Sequence, residues 1–237
     1  MLHLQAVTIA FGAHVLFSNL DLSVGRGQLV GITGESGCGK TSLLRAVLGF
    51  VPLTSGTIEV AGLPLDVDHI HEIRRLTAYI PQELQPLAET GRDLINLTHD
   101  LEANRPHSRT PESAHSRIPF DVASTAAVSG ESSSGTPTSD PTNPSSILSE
   151  LGLAPSLLEF FATKLSGGQR QRVLIASALA LPKPLILLDE PSSALDEDST
   201  RRVGETLIYA CHEDNRSALV VSHDPILLSF CDQIITL

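Results

Sequence analysis

Gly34, Glu35, Ser36, Gly37, Cys38, Gly39, Lys40 and Thr41 stand in the order G-x-x-x-x-G-K-[ST]. Glycines at that spacing let successive backbone N–H groups turn inward around an anion, the lysine reaches terminal phosphate oxygens, and the threonine hydroxyl is a donor for a hard divalent cation. The chemistry indicated is capture of a nucleotide's β- and γ-phosphates. Farther on, the apolar run Leu185–Leu188 closes on two carboxylates, Asp189 and Glu190. At the end of a buried strand such a pair opens onto the ligand crevice of an α/β sheet. Between the two lies Leu165, Ser166, Gly167, Gly168, Gln169. Ser166 reads as a helix N-cap and the glycines permit close backbone approach, so this helix start is a second anion-binding end. One γ-phosphate hardly needs two such ends from a single chain.

These groups need a scaffold that brings distant segments together. Residues 2–32 read as short strands: Leu4, Val7 and Ile9; Val15–Phe17; Leu20–Val24; and the buried run Leu29–Ile32, with turns at Gly12 and Gly25–Gly27. Leu29–Ile32 leads into the glycine loop, and Thr41–Leu48 continues with helical spacing until Gly49. Thr57–Val60 and Leu63–Leu65 read as an antiparallel pair, and Thr77–Ile80 as a strand ending at Pro81. Helices are expected at Leu84–Leu101, Ser146–Phe161, Gly167–Leu181, Ser199–Cys211 and Pro225–Phe230, with strands at Leu185–Leu188, Ala218–Val221 and Gln233–Leu237. Alternating strands and helices indicate an α/β layered core.

With 237 residues and 41% hydrophobic side chains, the chain can fill a core. The longest apolar stretch, Leu174–Leu188, is interrupted by Pro182, Lys183 and Pro184, so no membrane span is expected. Met1–Ala10 has no export pattern, and a cytoplasmic protein is expected. Cys38, Cys211 and Cys231 have no CxxC spacing and read as free thiols. A net charge of −11 argues against nucleic acid as a partner, because a duplex binder needs a basic face.

In their order along the chain, the loop Gly34–Thr41, the run Leu165–Gln169 and the segment Leu185–Glu190 resemble the ATP-binding cassette (ABC) family, the nucleotide-hydrolysing subunits of ABC transporters. The resemblance implies an α/β P-loop NTPase core with an N-terminal antiparallel β subdomain and an inserted helical subdomain. Residues 1–237 would form a single ABC ATP-binding domain, with 1–82 and 166–237 as catalytic core plus β subdomain and 83–165 as the helical subdomain. ATP and Mg²⁺ are the implied ligands. The nucleotide would be held by Gly34, Glu35, Ser36, Gly37, Cys38, Gly39, Lys40, Thr41 and Ser42. Phe11 matches the aromatic that stacks on adenine, an interaction tolerant of base identity; the alternative is a core phenylalanine. Thr41, Asp189 and Gln82, in Tyr79-Ile80-Pro81-Gln82, would hold Mg²⁺. Glu190 would orient and polarise the attacking water, with Lys40, Gln82 and His223, in Val221-Ser222-His223-Asp224, completing the catalytic set. Asp196, in Ser193-Ala194-Leu195-Asp196, matches a residue that contacts the opposite subunit. Leu165, Ser166, Gly167, Gly168 and Gln169 match the signature motif, which serves ATP held by a partner's phosphate loop. The implied partners are a second cassette, as a homodimer, and an integral membrane transporter subunit, with this chain peripheral on the cytoplasmic face of the membrane. The other open reading is a soluble ABC ATPase without a transport role, such as cluster assembly.

The clear departure from the family pattern is Asn104–Ser145, rich in Ser, Thr, Pro and Gly. Such a composition buries too little apolar surface to offset ordering costs of about 1–2 kcal/mol per residue, so a mobile insertion is expected, as a surface loop or as a docking segment. Limited proteolysis of the free protein is expected to cut first inside this stretch; survival of the stretch while other sites are cut would contradict it.

Overall fold

A computed structural model describes residues 1–82, 90, 143–159 and 164–237. Along the chain these form β1 (Leu2–Phe11), β2 (His14–Val24), β3 (Leu29–Thr33), α1 (Lys40–Val47), β4 (Ser55–Val60), β5 (Leu63–Pro64), α2 (Ile70–Leu76) and β6 (Thr77–Ile80). There follow α3 (Pro144–Glu150), a 3-10 turn (Pro155–Glu159), α4 (Gly167–Leu179), β7 (Leu185–Asp189), α5 (Glu197–His212), β8 (Ser217–Val221), α6 (Pro225–Leu228) and β9 (Gln233–Thr236).

Two sheets result. An antiparallel sheet runs β2-β1-β4-β5, and a five-stranded sheet runs β6-β7-β8-β3-β9 with every pairing parallel. All five residues of β7 and of β8 are buried, as expected of strands covered on both faces. Alternation sorts them by face. Ile186, Leu188, Ala218 and Val220 join an apolar layer with α3, α4 and α5, while Leu185, Leu187, Leu219 and Val221 join another with α1 and the antiparallel sheet. Each fully buried Leu, Ile or Val stabilises the fold by about 1.5–3 kcal/mol, so the parallel sheet is the rigid partition between two cores.

The antiparallel pair, the α/β class and the expected strands are present, except that Val15–Phe17 and Leu20–Val24 are one continuous strand, β2. Several helices differ from the sequence expectation. The helix expected at Ser146–Phe161 is two short pieces, because Gly152 turns the chain at φ +73° and Pro155 starts a new turn; residues 160–161 lie outside the described set. The end of the segment expected to be mobile, Asn143–Ser145, is instead the start of α3: the Asn143 carboxamide accepts from Ser145 N–H and Pro144 occupies the first turn. Apart from Thr90, which stands in an isolated bridge, the expected helix Leu84–Leu101 lies outside the described residues, as do residues 104–142. Helix α2 has no counterpart in the sequence reading, since Ile73 is its one buried residue and leaves no periodic face to detect. Helix α4 stops at Leu179 rather than Leu181, before Pro182 and Pro184, where the Arg216 guanidinium donates to the carbonyls of Leu179, Leu181 and Lys183. Helix α6 ends at Leu228 rather than Phe230, with Phe230 and Cys231 in following turns. Cys38, Cys211 and Cys231 are free thiols, and burial pushes Cys211 up to about 12 and Cys231 to about 11.

Gly204 sits in the middle of α5, where alanine ordinarily gains about 0.5–1 kcal/mol. Here a Cβ would lie 2.6–2.7 Å from the Cε2 and Cγ atoms of Phe230. Gly204→Ala is therefore expected to destabilise the chain by about 1–3 kcal/mol, lowering the thermal midpoint by several degrees, with Phe230→Leu in the same chain restoring part of the loss. A higher midpoint for Gly204→Ala alone would show that the ring yields freely.

Candidate active site

The carboxyl ends of four neighbouring parallel strands supply the site. β6 runs out into Pro81 and Gln82, β7 into Asp189 and Glu190, β8 into Ser222 and His223, and β3 into Gly34. Register keeps those ends level, with Ile80 opposite Leu188, Asp189 opposite Val221, and Val221 opposite Ile32. The ladder continues into the site: Ser222 N–H donates to Ile32 O at 3.0 Å and Glu190 N–H to Val221 O at 2.9 Å. A cavity of about 570 Å³ lies over these ends. Phe11, Gly34, Ser36, Gly37, Gly39, Lys40, Thr41, Ser42, Gln82, Asp189, Glu190 and His223 all line it, as do Leu16 and Val221.

The loop meets the anion requirement through its backbone. Gly37 and Gly39 have φ of +84° and +108°, a region that side chains disfavour, and a Cβ on Gly39 would press on Leu16 and Phe17 at 3.0–3.1 Å. Gly39 is the N-cap of α1 and provides no side-chain cap, and the first intrahelical bond is Leu43 N–H to Gly39 O. The N–H groups of Lys40, Thr41 and Ser42 are thus left without helical acceptors, at the positive end of the helix. Lys40 Nζ donates to the carbonyls of Gly34 and Glu35 at 2.8 and 2.9 Å, which holds its charge across the loop. The side chains of Glu35 and Cys38 do not line the cavity; Glu35 takes part through its carbonyl, and Cys38 Sγ stands 4.0 Å from Lys40 Nζ.

The carboxylates differ in surroundings. Asp189 is 1% exposed and its Oδ1 has no hydrogen-bond partner. Burial pushes its carboxyl above the usual range, the Glu190 charge adds to that, and the Thr41 hydroxyl, Arg45 and Lys40 act against it. Glu190 holds φ at +50°, an uncommon and strained backbone for a residue with a side chain, sustained by its bond to Val221. His223 Nδ1 lies 2.9 Å from Glu190 Oε2, a close approach without hydrogen-bond geometry, as that buried oxygen has no bonded partner, and an ion pair only when the imidazole is protonated. The His223 backbone is fixed from both sides: Asp224 N–H donates to the buried Ser222 hydroxyl, and Asp224 caps α6.

The signature residues Leu165–Gln169 do not line this cavity. Ser166 caps α4 in a reciprocal box, its hydroxyl accepting from Gln169 N–H at 3.2 Å and its N–H donating to Gln169 Oε1 at 2.9 Å. Gly168 has room for no side chain, since a Cβ would meet Ala194 O at 2.8 Å. Asp196 caps α5 by accepting from Ser199 N–H at 2.8 Å, a bond that also holds its carboxyl below the usual range. Leu16 and Val221 escaped the sequence reading, because an apolar residue in an apolar strand is indistinguishable from core until its neighbours are known.

Comparison with known proteins agrees with this arrangement. The family model described as ABC transporter matches residues 17–193. The ABC-type transmembrane transporter verA of Clonostachys rogersoniana is 34% identical over 93% of this chain, which spans 16% of that protein. A phosphonates import ATP-binding protein of Nocardia farcinica is 32% identical over 94% of this chain, covering 76% of its own length. Among solved structures, the dimeric structure of a bacterial ABC transporter cassette superposes with a TM-score of 0.75 at 26% identity, covering 100% of this chain and 94% of that one. Phosphate loop, strand-end carboxylates, signature helix and both sheets therefore belong together, and this chain is a member of the ABC transporter family.

Proposed function

We propose that this chain is the ATP-binding and ATP-hydrolysing subunit of an ABC transporter, powering translocation through a separate integral membrane subunit by ATP-driven pairing of two cassettes. The observation that carries the reading is the cavity itself: one end of the parallel sheet gathers the phosphate loop, Gln82, Asp189, Glu190 and His223, while the signature helix start lies elsewhere. A site built in two halves calls for a second copy, and the dimeric cassette that shares this fold supports that arrangement. The import and transmembrane transporter relatives support the transport role. No helix among the described residues is long and apolar enough to cross a membrane; in this reading the membrane subunit is a separate protein, with this chain on the cytoplasmic face. Residues 1–237 act as one ATP-binding domain in this reading.

Within it, the open N–H groups of Lys40, Thr41 and Ser42 receive the phosphates. Lys40 already spends two donors on loop carbonyls, and its third, now 4.0 Å from the weakly accepting Cys38 sulfur, is free for a phosphate oxygen. Phe11, half exposed at the cavity, offers its ring to the base, with Leu16 beside it. The donor set also fits Mg²⁺, a hard cation that takes one or two carboxylates and retains water: Asp189 has an unpaired buried oxygen, and the Thr41 hydroxyl and Gln82 amide line the same cavity. Bound with the nucleotide, Mg²⁺ would neutralise charge on the phosphate oxygens. Glu190, held by its strained backbone and facing His223, orients water and accepts its proton, while His223 steadies that carboxylate and reaches the terminal phosphate. Gly167 and Gly168 retain free N–H groups at the start of α4, since the capping box occupies only Ser166 and Gln169, and these would meet a partner's nucleotide. Asp196, exposed at the α5 cap, would face that partner.

Glu190→Gln is expected to bind ATP with near-native affinity, hydrolyse it at least about a hundredfold more slowly, and accumulate as a dimer in ATP on size-exclusion chromatography. Hydrolysis at the native rate would remove Glu190 from the mechanism. Lys40→Ala is expected to weaken ATP binding in calorimetry by about tenfold or more. Affinity purification from detergent-solubilised membranes should recover an integral membrane protein; recovery of soluble assembly proteins alone would favour the non-transport reading.

A further inference from the structure

Helix α4 and strand β7 form a hairpin that presents both halves of the site at one end. α4 runs into the turn 180–184 and β7 runs out of it, so the α4 start stands beside the segment that follows Asp189 and Glu190. Gly168 shows that closeness, since a Cβ on it would meet Ala194 O at 2.8 Å. The closed end of the hairpin lies about 20 Å away, the length of a 13-residue helix. There Pro182 and Pro184 bring no N–H to the turn, and its carbonyls need donors from elsewhere.

Arg216 supplies them. Its Nη1 donates to Leu179 O at 2.6 Å, Nη2 to Leu181 O at 3.0 Å and Nε to Lys183 O at 2.9 Å. These carbonyls lead from the last residue of α4 to the threshold of β7, and a cation also suits the negative end of a helix. Burial pulls the guanidinium below its usual range, with Asp214 and Cys211 acting against that, and it stays charged. Arg216 is itself fastened to the core. Its N–H donates to Ala210 O in α5, and Ser217, which opens β8, donates through its N–H to Pro184 O and through its hydroxyl to Gly25 O. The foot of α4 is thus tied to the sheet by directed bonds, whereas its apolar face is held by contacts that have no direction.

The length of α4 amplifies any slack at that foot. A tilt of about 3° there moves the α4 start by about 1 Å, enough to take an N–H···O contact out of hydrogen-bonding range. The ends of β7 and β8 are steadier, because both strands are buried throughout and paired on both edges. We propose that Arg216 is a positioning residue for the partner's site: by fixing the foot of α4 it sets where Gly167 and Gly168 meet the nucleotide held by a second cassette, while the chain's own cavity is left to the sheet. The proposal rests on the paired-cassette reading above.

The test places Arg216→Gln, Arg216→Lys and Gly204→Ala in the full chain carrying Glu190→Gln. ADP calorimetry in Mg²⁺ reads the chain's own cavity, analytical ultracentrifugation in ATP reads dimerisation, and thermal unfolding reads stability. Arg216→Gln is expected to raise the dimer Kd about tenfold or more, the equivalent of one lost charge-assisted hydrogen bond, with ADP affinity within about twofold of the parent. Arg216→Lys keeps the charge without the three-way fork and is expected to raise the Kd about two- to fourfold; it stands as the test if Arg216→Gln does not fold. Gly204→Ala, destabilised elsewhere in the core, should lower the thermal midpoint and dimerise like the parent. Dimerisation at the parent's Kd, in Arg216→Gln or, should that not fold, in Arg216→Lys, overturns the proposal. So does a loss of ADP affinity as large as the loss of dimerisation, or an equal dimer defect in Gly204→Ala. A Glu190→Gln parent that stays monomeric in ATP overturns the paired-cassette reading, and the role of Arg216 with it.

Discussion

Everything in the site depends on the parallel pairing of β3 with β8 and of β8 with β7. Parallel strands end on the same side, so segments some 150–190 residues apart in the chain deliver Gly34, Glu190 and His223 to one edge. A shift of one residue in either pairing would turn the apolar side chains of β7 or β8 to the opposite layer and carry Asp189 away from Thr41. That shift is resisted on both faces at once, because alternate residues of the same strand are locked into two different cores. The hydrogen bonds from Ser222 and Glu190 extend the ladder one step beyond the strands, and the rigidity of the sheet is handed directly to the residues that face the cavity.

Two helix starts solve opposite problems with similar residues. At α1 the cap is a glycine with no side chain to give, so the helix keeps its open N–H groups and its positive end for an external anion. At α4 the Ser166 and Gln169 side chains satisfy each other's N–H groups, leaving only the two glycine amides unclaimed. The first start depends on a ligand to complete it; the second is already ordered and can be offered rigidly to another molecule. Pre-ordering of that kind lowers the entropy lost on association.

Most of the cavity was legible in the sequence because phosphate chemistry leaves few choices: Gly34–Thr41 has to use glycines where the chain turns through positive φ, and Asp189 and Glu190 have to follow a buried strand. The parallel core was legible for a similar reason, since Leu185–Leu188 and Ala218–Val221 are uninterrupted apolar runs. What was missed depends on tertiary context. Leu16 belongs to the cavity because Gly39 packs on it, and no local pattern marks that contact. Helix α2 has a single buried anchor, and the break after Glu150 was signalled by Gly152 and Pro155 but outweighed by the run of leucines around them. The Asn143-Pro144 start of α3 carries an N-cap and a first-turn proline, yet its serine-rich surroundings resemble the stretch before it.

The two carboxylates that end β7 show why adjacency in sequence does not mean equivalence in chemistry. Successive residues of a strand point to opposite faces, but the turn to φ +50° at Glu190 breaks that alternation and aims its carboxylate at the cavity beside Asp189. Glycine would take this backbone without strain, but it has no carboxylate to offer, so the chain bears a strained residue in its place. The bond from Glu190 N–H to Val221 O holds the strained peptide from behind, and the close contact with His223 meets the side chain from in front. Both restraints come from β8 and the segment directly after it, so the strand that leads into His223 also sets the geometry of Glu190. A change in the position of His223, which is largely exposed, therefore reaches the Glu190 carboxylate through a single contact.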